Sequence, residues 1–433
     1  MTFTAISFAL CEDLDVAAVA QRILRLPGSI WLDRGFGCDG FFSFGLDSAV
    51  VSGEDWLTRA RSWLQPGPPL VWRGRRLFAG GIAGWIGYEA GRHTERMPEP
   101  MGASPLGELR LRRYDGAIHR TGDPEQPWLI VGSEDFVARS RSLLAELPPA
   151  APPPPASGRV VEREDPRRFL EGVRAILRHI EAGDCYQVNL ARSLRVAGVS
   201  DPLAAFLRLR ERSPAAYGAL LVEEDGSVVS NSPELFLQLE GDQVLSRPIK
   251  GTRRLGRDEG EQAALVQELL DDPKERAELT MIVDLMRNDL GRVCRPGSVR
   301  AAPRQIQTLP TLNHAYQELQ GQLLPGRDVF DLLGATFPPG SVTGAPKVQS
   351  MQVIRALESR PRGVYTGAIG FISDAGDAVF NVAIRTATLG GATRPPDEAL
   401  LFFGSGIVAD SDPERELEET EVKALALLRA FCA

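Results

Sequence analysis

The chain is poor in cysteine, and the cysteines it has are not paired in sequence. Cys11, Cys38, Cys185, Cys294 and Cys432 are scattered over 433 residues with no C-x-x-C spacing. That spacing argues against a disulfide or zinc framework and suits a reducing compartment. Positive charge is also scarce, with 49 Lys and Arg against 57 Asp and Glu, a net charge of −8. Sequence-independent nucleic-acid binding depends on a basic surface and is not expected. A small anionic ligand is still open, because a local cluster decides that. No apolar run approaches the roughly 18 residues of a membrane span. The opening M-T-F-T-A-I-S-F-A-L-C-E-D-L-D has no basic region leading into a long apolar core, so the expectation is a cytoplasmic protein without a membrane partner. There is no internal repeat.

What is present is a globular composition, 43% hydrophobic and 24% charged, enough for a large core. One break stands out. Leu147–Gly158 reads L-P-P-A-A-P-P-P-P-A-S-G, an extended connector. It divides the chain into 1–146, the connector 147–158, and 159–433. Before it, short strands alternate with Gly-rich turns, as in G-G-I-A-G-W-I-G-Y-E-A-G-R (Gly80–Arg92). After it, Asp165-Pro166, Asp272-Pro273 and Asp412-Pro413 each place a capping aspartate before a proline. Helices are predicted from about 166 to 182, 273 to 289 and 413 to 430. Strands are predicted at 227–229, 235–239, 244–249, 365–372, 378–389 and 400–403. The mixture predicts an α+β fold with large antiparallel sheets.

Four groups of residues can carry chemistry. Glu275 and Glu278 stand at i, i+3 on one predicted helix, and Glu416, Glu419 and Lys423 at i, i+3, i+7 on another. Facing each other, such helices offer oxygen ligands to a hard cation; acidic residues near a helix start also favour the dipole without any ligand. P-P-G-S-V-T-G-A-P-K (Pro338–Lys347) and F-G-S-G-I-V (Phe403–Val408) read as tight turns whose backbone N–H groups, with Thr343 and Ser405, can cradle an oxyanion. Arg385, in F-N-V-A-I-R-T-A, falls on an otherwise apolar strand and needs an anion, from a salt bridge or a substrate. Finally S-P-E (Ser232–Glu234) and R-P-I-K-G-T-R-R (Arg247–Arg254) end neighbouring strands. They bring together a candidate acid or base, Glu234, and a candidate nucleophile, Lys250.

In order along the chain these motifs, with I-E-A-G-D-C-Y-Q-V-N (Ile180–Asn189), K-E-R-A-E-L-T-M-I-V-D-L-M-R-N-D-L-G-R (Lys274–Arg292), R-G-V-Y-T-G-A-I-G (Arg362–Gly370) and G-S-G-I-V-A-D-S-D-P-E-R-E-L-E-E-T, resemble the chorismate-utilising enzymes over nearly the whole length. The resemblance implies a β-sandwich core flanked by helices. It implies Mg²⁺ held by Glu278 and Glu419, with Glu275 and Glu416 behind them. It places Arg385, Tyr365, Gly404, Ser405, Gly406, Thr343 and Lys423 around the substrate carboxylate. The anthranilate-forming members have alanine where this chain has Lys250, and the isochorismate- and salicylate-forming members have a lysine base where it has Gln187. Lysine at the first position and glutamine at the second imply amination of chorismate to 4-amino-4-deoxychorismate, toward 4-aminobenzoate and folate. Lys250 would be the nucleophile and Glu234 the acid.

No G-x-C-x-G elbow is present, since Cys38 lies in F-G-C-D-G, so ammonia is expected from a separate glutamine amidotransferase subunit. The family's H-L-x-S segment appears only as H-A-Y-Q (His314–Gln317), with His314 kept as a substrate contact. The family's tryptophan-binding serine is replaced by Arg34, which implies absent or weak tryptophan binding. The other readings are an anthranilate-forming enzyme and, more remotely, a non-catalytic chorismate-binding scaffold.

Overall fold

Trp31 and Leu220 pack to one side of a sheet, and Ile30, Leu32, Ala219 and Leu221 to the other. This two-residue alternation gives both faces of the sheet a core. The computed structural model describes residues 6–433 apart from 11–12, 37–38, 46–52, 54, 96–101, 310–311 and 393, so Cys11 and the F-G-C-D-G stretch at Cys38 lie outside the described residues.

The strands that matter for the site are β1 (Ser29–Asp33), β2 (Gly81–Ile86), β3 (Gln187–Ala197), β4 (Tyr217–Val222), β5 (Gly226–Ser232), β6 (Leu235–Glu240) and β7 (Gln243–Arg247). They continue with β8 (Ile249–Arg254), β9 (Leu312–Tyr316), β10 (Ala368–Ser373), β11 (Ala378–Val382), β12 (Thr386–Gly390) and β13 (Glu398–Ile407). Among the described residues a twelve-stranded sheet contains the run β1-β4-β5-β12-β13-β3, and an eight-stranded sheet contains β7-β6-β11-β10-β2. All these pairings are antiparallel. The sheets face each other through Ile30, Leu32, Phe41, Trp85, Ile369 and Phe371, which is the sandwich expected of the α+β class. Strands from before and after the connector share both sheets, since β1 pairs with β4 and β2 with β10. The connector itself is pinned: Arg208 Nη1 donates to Pro154 O at 2.5 Å and Gln21 Nε2 to Ala151 O at 2.7 Å.

The three helices begin where their caps predict. They are α1 (Pro166–Glu181), α2 (Pro273–Gly291) and, after α3 (Lys347–Leu357), α4 (Pro413–Phe431). Asp165, Asp272 and Asp412 accept from Arg167 N, Glu275 N and Arg415 N at 3.0–3.1 Å. Helix α2 buries Leu279, Ile282, Val283, Met286 and Leu290 against Phe236, Leu319 and Phe330 beyond the eight-stranded sheet. Helix α4 buries Ala424, Leu427, Ala430 and Phe431 against the outer face of the twelve-stranded sheet. No helix among the described residues is long and apolar enough to cross a membrane.

Three strand expectations change. The strand expected over 244–249 stops at Arg247, and after Pro248 the chain enters a separate three-stranded sheet as β8. The strand expected over 378–389 is cut into β11 and β12, with Arg385 at φ 51° in the break. The F-G-S-G-I stretch is not a turn; it is the end of β13, paired with β3. Lone strand propensity does not see these breaks, because partner strands remote in sequence set them.

Candidate active site

Lys250 sits on a β-bulge. Strand β8 pairs with β9 through Ile249↔Tyr316 and Thr252↔His314, so Lys250 and Gly251 together oppose Ala315. A bulge turns a side chain out of the pleat, and bulges gather at active sites. Gly251 is needed there twice over. Its φ is 88°, and a Cβ on it would lie 2.8 Å from Leu269 and 3.0 Å from the Glu275 carboxylate. The bulge aims Lys250 Nζ at Glu278 Oε2, 3.8 Å away, and sets it beside Gly406 and Gln187. Arg253, further along β8, pairs with Glu268 and Asp272 at 2.9 and 2.8 Å, a structural role.

Glu234 stands between β5 and β6 and is 3% exposed. Burial pushes its pKa up to about 7, against the Ser341 hydroxyl, the Lys250 charge and the Ile249 N–H, which favour the anion. A carboxyl poised near neutrality beside a lysine suits a general acid or base.

The two predicted carboxylate helices bring Glu278 and Glu419 within electrostatic reach of each other and of Lys250. Glu278, on α2, has its pKa raised by burial and by the neighbouring Glu275 and Glu419, with Lys250 opposing. Burial alone would also raise Glu419, on α4, but Lys423, at 2.5 Å, holds it below the usual range. Among the described residues no group of three His, Cys, Asp or Glu side chains converges as a ready-made metal shell. Two carboxylates from two helices still fit a hard cation that keeps waters and takes ligands from its substrate, as Mg²⁺ does. Glu275 lies against Gly251 and 3.6 Å from Arg253. Glu416 is buried and accepts from Ser411 Oγ at 2.6 Å, which ties it to the loop before α4.

The other end of the site gathers polar atoms with no partner in the protein. Where the chain leaves the sheet at 383–385, β13 loses its β12 neighbour beyond Leu401, and Gly404–Gly406 keep only β3 beside them. Arg385 stands at this break and acts electrostatically on His314. Burial lowers the pKa of Arg385, and among the described residues its side chain has no hydrogen bond or ion pair. His314 is 2% exposed; its Nδ1 meets Thr252 Oγ1 at 2.9 Å and its Nε2 has no partner. Burial, then the Arg385 charge, push its pKa down to about 3, so it is neutral. Both polar atoms of the Gln187 amide, Asn189 Oδ1 and Ser405 Oγ are buried and unpaired as well. Tyr365 stacks on Phe402, with centroids 5.4 Å apart, and a Cβ on Gly404 would lie 3.1 Å from its hydroxyl. Lys423 donates to Gly404 O at 2.9 Å. Thr343 donates its proton to Pro339 O at 2.8 Å, which leaves it only as an acceptor.

Buried polar groups are almost always hydrogen-bonded, so this convergence marks a seat for a polar ligand. Arg385 calls for an anion, and Glu278 with Glu419 for a cation; Lys423 is already answered by Glu419.

Three supporting residues escaped sequence reasoning. Ser341 meets Glu234, and Asn189 borders Gly404; like the third, Arg362, both stood inside the motifs that carry the resemblance, a signal that was available. Arg362 is 2% exposed and surrounded by partners. It is bidentate to Glu358 at 2.9 and 2.6 Å, donates to Asn189 O at 2.6 Å and Val342 O at 3.1 Å, and lies over the rings of Tyr88 and Tyr365. It fixes β3 and Tyr365 from behind the site.

Comparison with known proteins gives the family and the fold. The profile of the chorismate binding enzymes matches residues 48–429. Anthranilate synthase component 1 1 of Haloarcula marismortui is 36% identical over 373 residues, 81% of this chain and 75% of that protein. Aminodeoxychorismate synthase component 1 of Salmonella typhimurium is 35% identical over 366 residues, 84% of this chain and 78% of that protein. The crystal structure of anthranilate synthase component I from Streptococcus pneumoniae superposes with a TM-score of 0.75 at 25% identity, covering 98% of this chain and 92% of that one. With its sandwich, its Glu278 and Glu419 carboxylates and its unpaired polar cavity, this chain belongs to the chorismate binding enzyme family.

Proposed function

We propose that the chain aminates chorismate to 4-amino-4-deoxychorismate by way of a covalent bond to Lys250, acting as an aminodeoxychorismate synthase component 1. The observation that carries this reading is Lys250 itself, set on a bulge that aims its amine between Glu278, Gln187 and Gly406. Relatives at similar identity are named for anthranilate and for aminodeoxychorismate synthesis, so the lysine discriminates where overall similarity does not.

Chorismate carries one carboxylate on its ring and one on its enolpyruvyl arm. Arg385, Tyr365 and the open edge at Gly404–Gly406 receive the arm carboxylate. Glu278 and Glu419 would hold Mg²⁺ near the ring carboxylate, and the ion would supply Lewis acidity. Once its proton has passed to solvent, the Lys250 amine attacks ring carbon 2, both ring double bonds shift along the ring, and the 4-hydroxyl leaves as water with a proton from Glu234. Ammonia then adds at carbon 4, both double bonds shift back and the bond to Lys250 breaks. The extra proton on the new amine returns to Glu234. Two displacements of modest difficulty replace one difficult one. Gln187, an amide, has no basic lone pair with which to activate water, which favours ammonia. The supply of ammonia by a separate glutamine amidotransferase subunit fits the "component 1" naming of the relatives.

The test is mass spectrometry of the protein with chorismate and Mg²⁺ but no ammonia, expecting an adduct on Lys250. With ammonium added, the product should give 4-aminobenzoate only after a lyase is supplied. Fluorescent anthranilate formed without a lyase, and no adduct, would replace this reading with the anthranilate-forming one.

A further inference from the structure

We propose that a second cavity, bounded by Arg195, Arg360 and Arg394, binds a small tetrahedral oxyanion of the phosphate class. The cavity has a volume of about 290 Å³ and shares no lining residue with the catalytic site. Arg195 stands six positions after Asn189 on β3, about 20 Å away at ~3.3 Å per residue.

The charges around it do not balance. Arg195 is bidentate to Glu398 at 2.8 and 2.7 Å and reaches Glu162 at 2.6 Å. Arg360 also donates to Glu162, at 2.6 Å. Two carboxylates thus serve three guanidinium groups, and Arg394 feels Glu398 only through space, without a hydrogen bond to it. Its Nη1 is buried with no hydrogen-bond partner, and among the described residues it has no ion pair. Burial is the main influence on its pKa, lowering it to about 10, so it stays charged at neutral pH. The one carboxylate near Arg394, Glu398, is held by Arg195, so this partly desolvated guanidinium is costly unless an anion completes it. Its fork suits a phosphate, and two further arginines line the same cavity. The lining also includes Leu400, which packs with Tyr365 and Phe402.

The test is titration with inorganic phosphate, and separately with glycerol phosphate, by calorimetry at fixed ionic strength with chloride as the balancing anion. Saturable binding of one phosphate is expected. Arg394→Gln should weaken it about tenfold or more, the loss of one charge-assisted hydrogen bond. Arg394→Lys should fall between, and Arg385→Gln, in the catalytic cavity, should leave it unchanged. Thermal unfolding of each variant confirms that it is folded. Equal binding to the wild type and Arg394→Gln, loss through Arg385→Gln instead, absence of saturation, or displacement by equal acetate would each overturn the proposal.

Discussion

Gly406 and Lys250 meet across the catalytic cavity. A Cβ on Gly406 would stand 3.1 Å from Lys250 Nζ and 2.5 Å from Gln187 Nε2. The glycine lies in regular strand, not in a left-handed turn, so its value is the space it leaves. Gly406→Ala should therefore fold normally, with Gln187 and Lys250 displaced by about 1 Å. Displacement on that scale costs about 10²-fold in rate. Steady-state kinetics should show that loss with a thermal midpoint close to wild type. Unchanged kcat/KM for chorismate would mean that Lys250 is not held where the chemistry needs it.

Glu234 sets a pH dependence whose sign is fixed. The acid role needs the protonated form, present below about 7 because burial raises the pKa to there. The rate should fall as pH rises through 7, and Glu234→Gln should remove that limb while lowering kcat about 10²–10⁴-fold. Stability follows the same sign. A raised carboxyl pKa favours the fold fully below its ordinary value near ~4.3, and this contribution is lost as pH rises through about 7. The thermal midpoint of Glu234→Gln should therefore drop less between pH 5 and 8 than that of the wild type. Parallel drops would show that Glu234 titrates elsewhere.

Much of this site was legible in the sequence, for reasons of local physics. Helical spacing alone placed Glu275 and Glu278 on one face, and Asp-Pro caps fixed where α2 and α4 begin. What was not legible depended on partners far along the chain. The G-S-G at 404–406 reads as a turn until β3, some two hundred residues earlier, pairs with it. Lys250 reads as part of a turn until β9 imposes the bulge. Glu358, four residues before Arg362, is a local partner, but the burial of Arg362 depends on Asn189, Val342 and Tyr88, on separate parts of the chain.

The glutamates differ in what they should do with a cation. Glu278 and Glu419 both feel the Lys250 charge, whereas Glu416 is tied to Ser411. Chelation should abolish turnover of the wild type and added Mg²⁺ restore it. Glu278→Gln should raise the Mg²⁺ concentration needed for half-maximal rate by at least about 10–100-fold, the range seen even for residues that only support metal ligands. Glu416→Gln, which keeps an acceptor for Ser411, should shift it far less. If the two substitutions shift the Mg²⁺ requirement alike, the division of roles between the glutamates is wrong.

Arg362 offers a test of support without substrate contact. Its bidentate pair with Glu358 is buried on both sides, 1% and 7% exposed, and Glu358 also accepts Ala191 N at 2.9 Å. Removing one partner of a buried pair leaves the other charge uncompensated and costs about 3–5 kcal/mol, whereas replacing both with apolar groups costs far less. Arg362→Ala should shift urea unfolding strongly to lower concentration, and Arg362→Met with Glu358→Leu should recover a good part of it. The double variant still lacks the cation above Tyr365, 6.0 Å from the ring centroid, and the hydrogen bond to Asn189 O. Its stability should thus return further than its KM for chorismate. Full recovery of both would reduce Arg362 to a structural ion pair, and recovery of neither would place it in direct contact with the reaction.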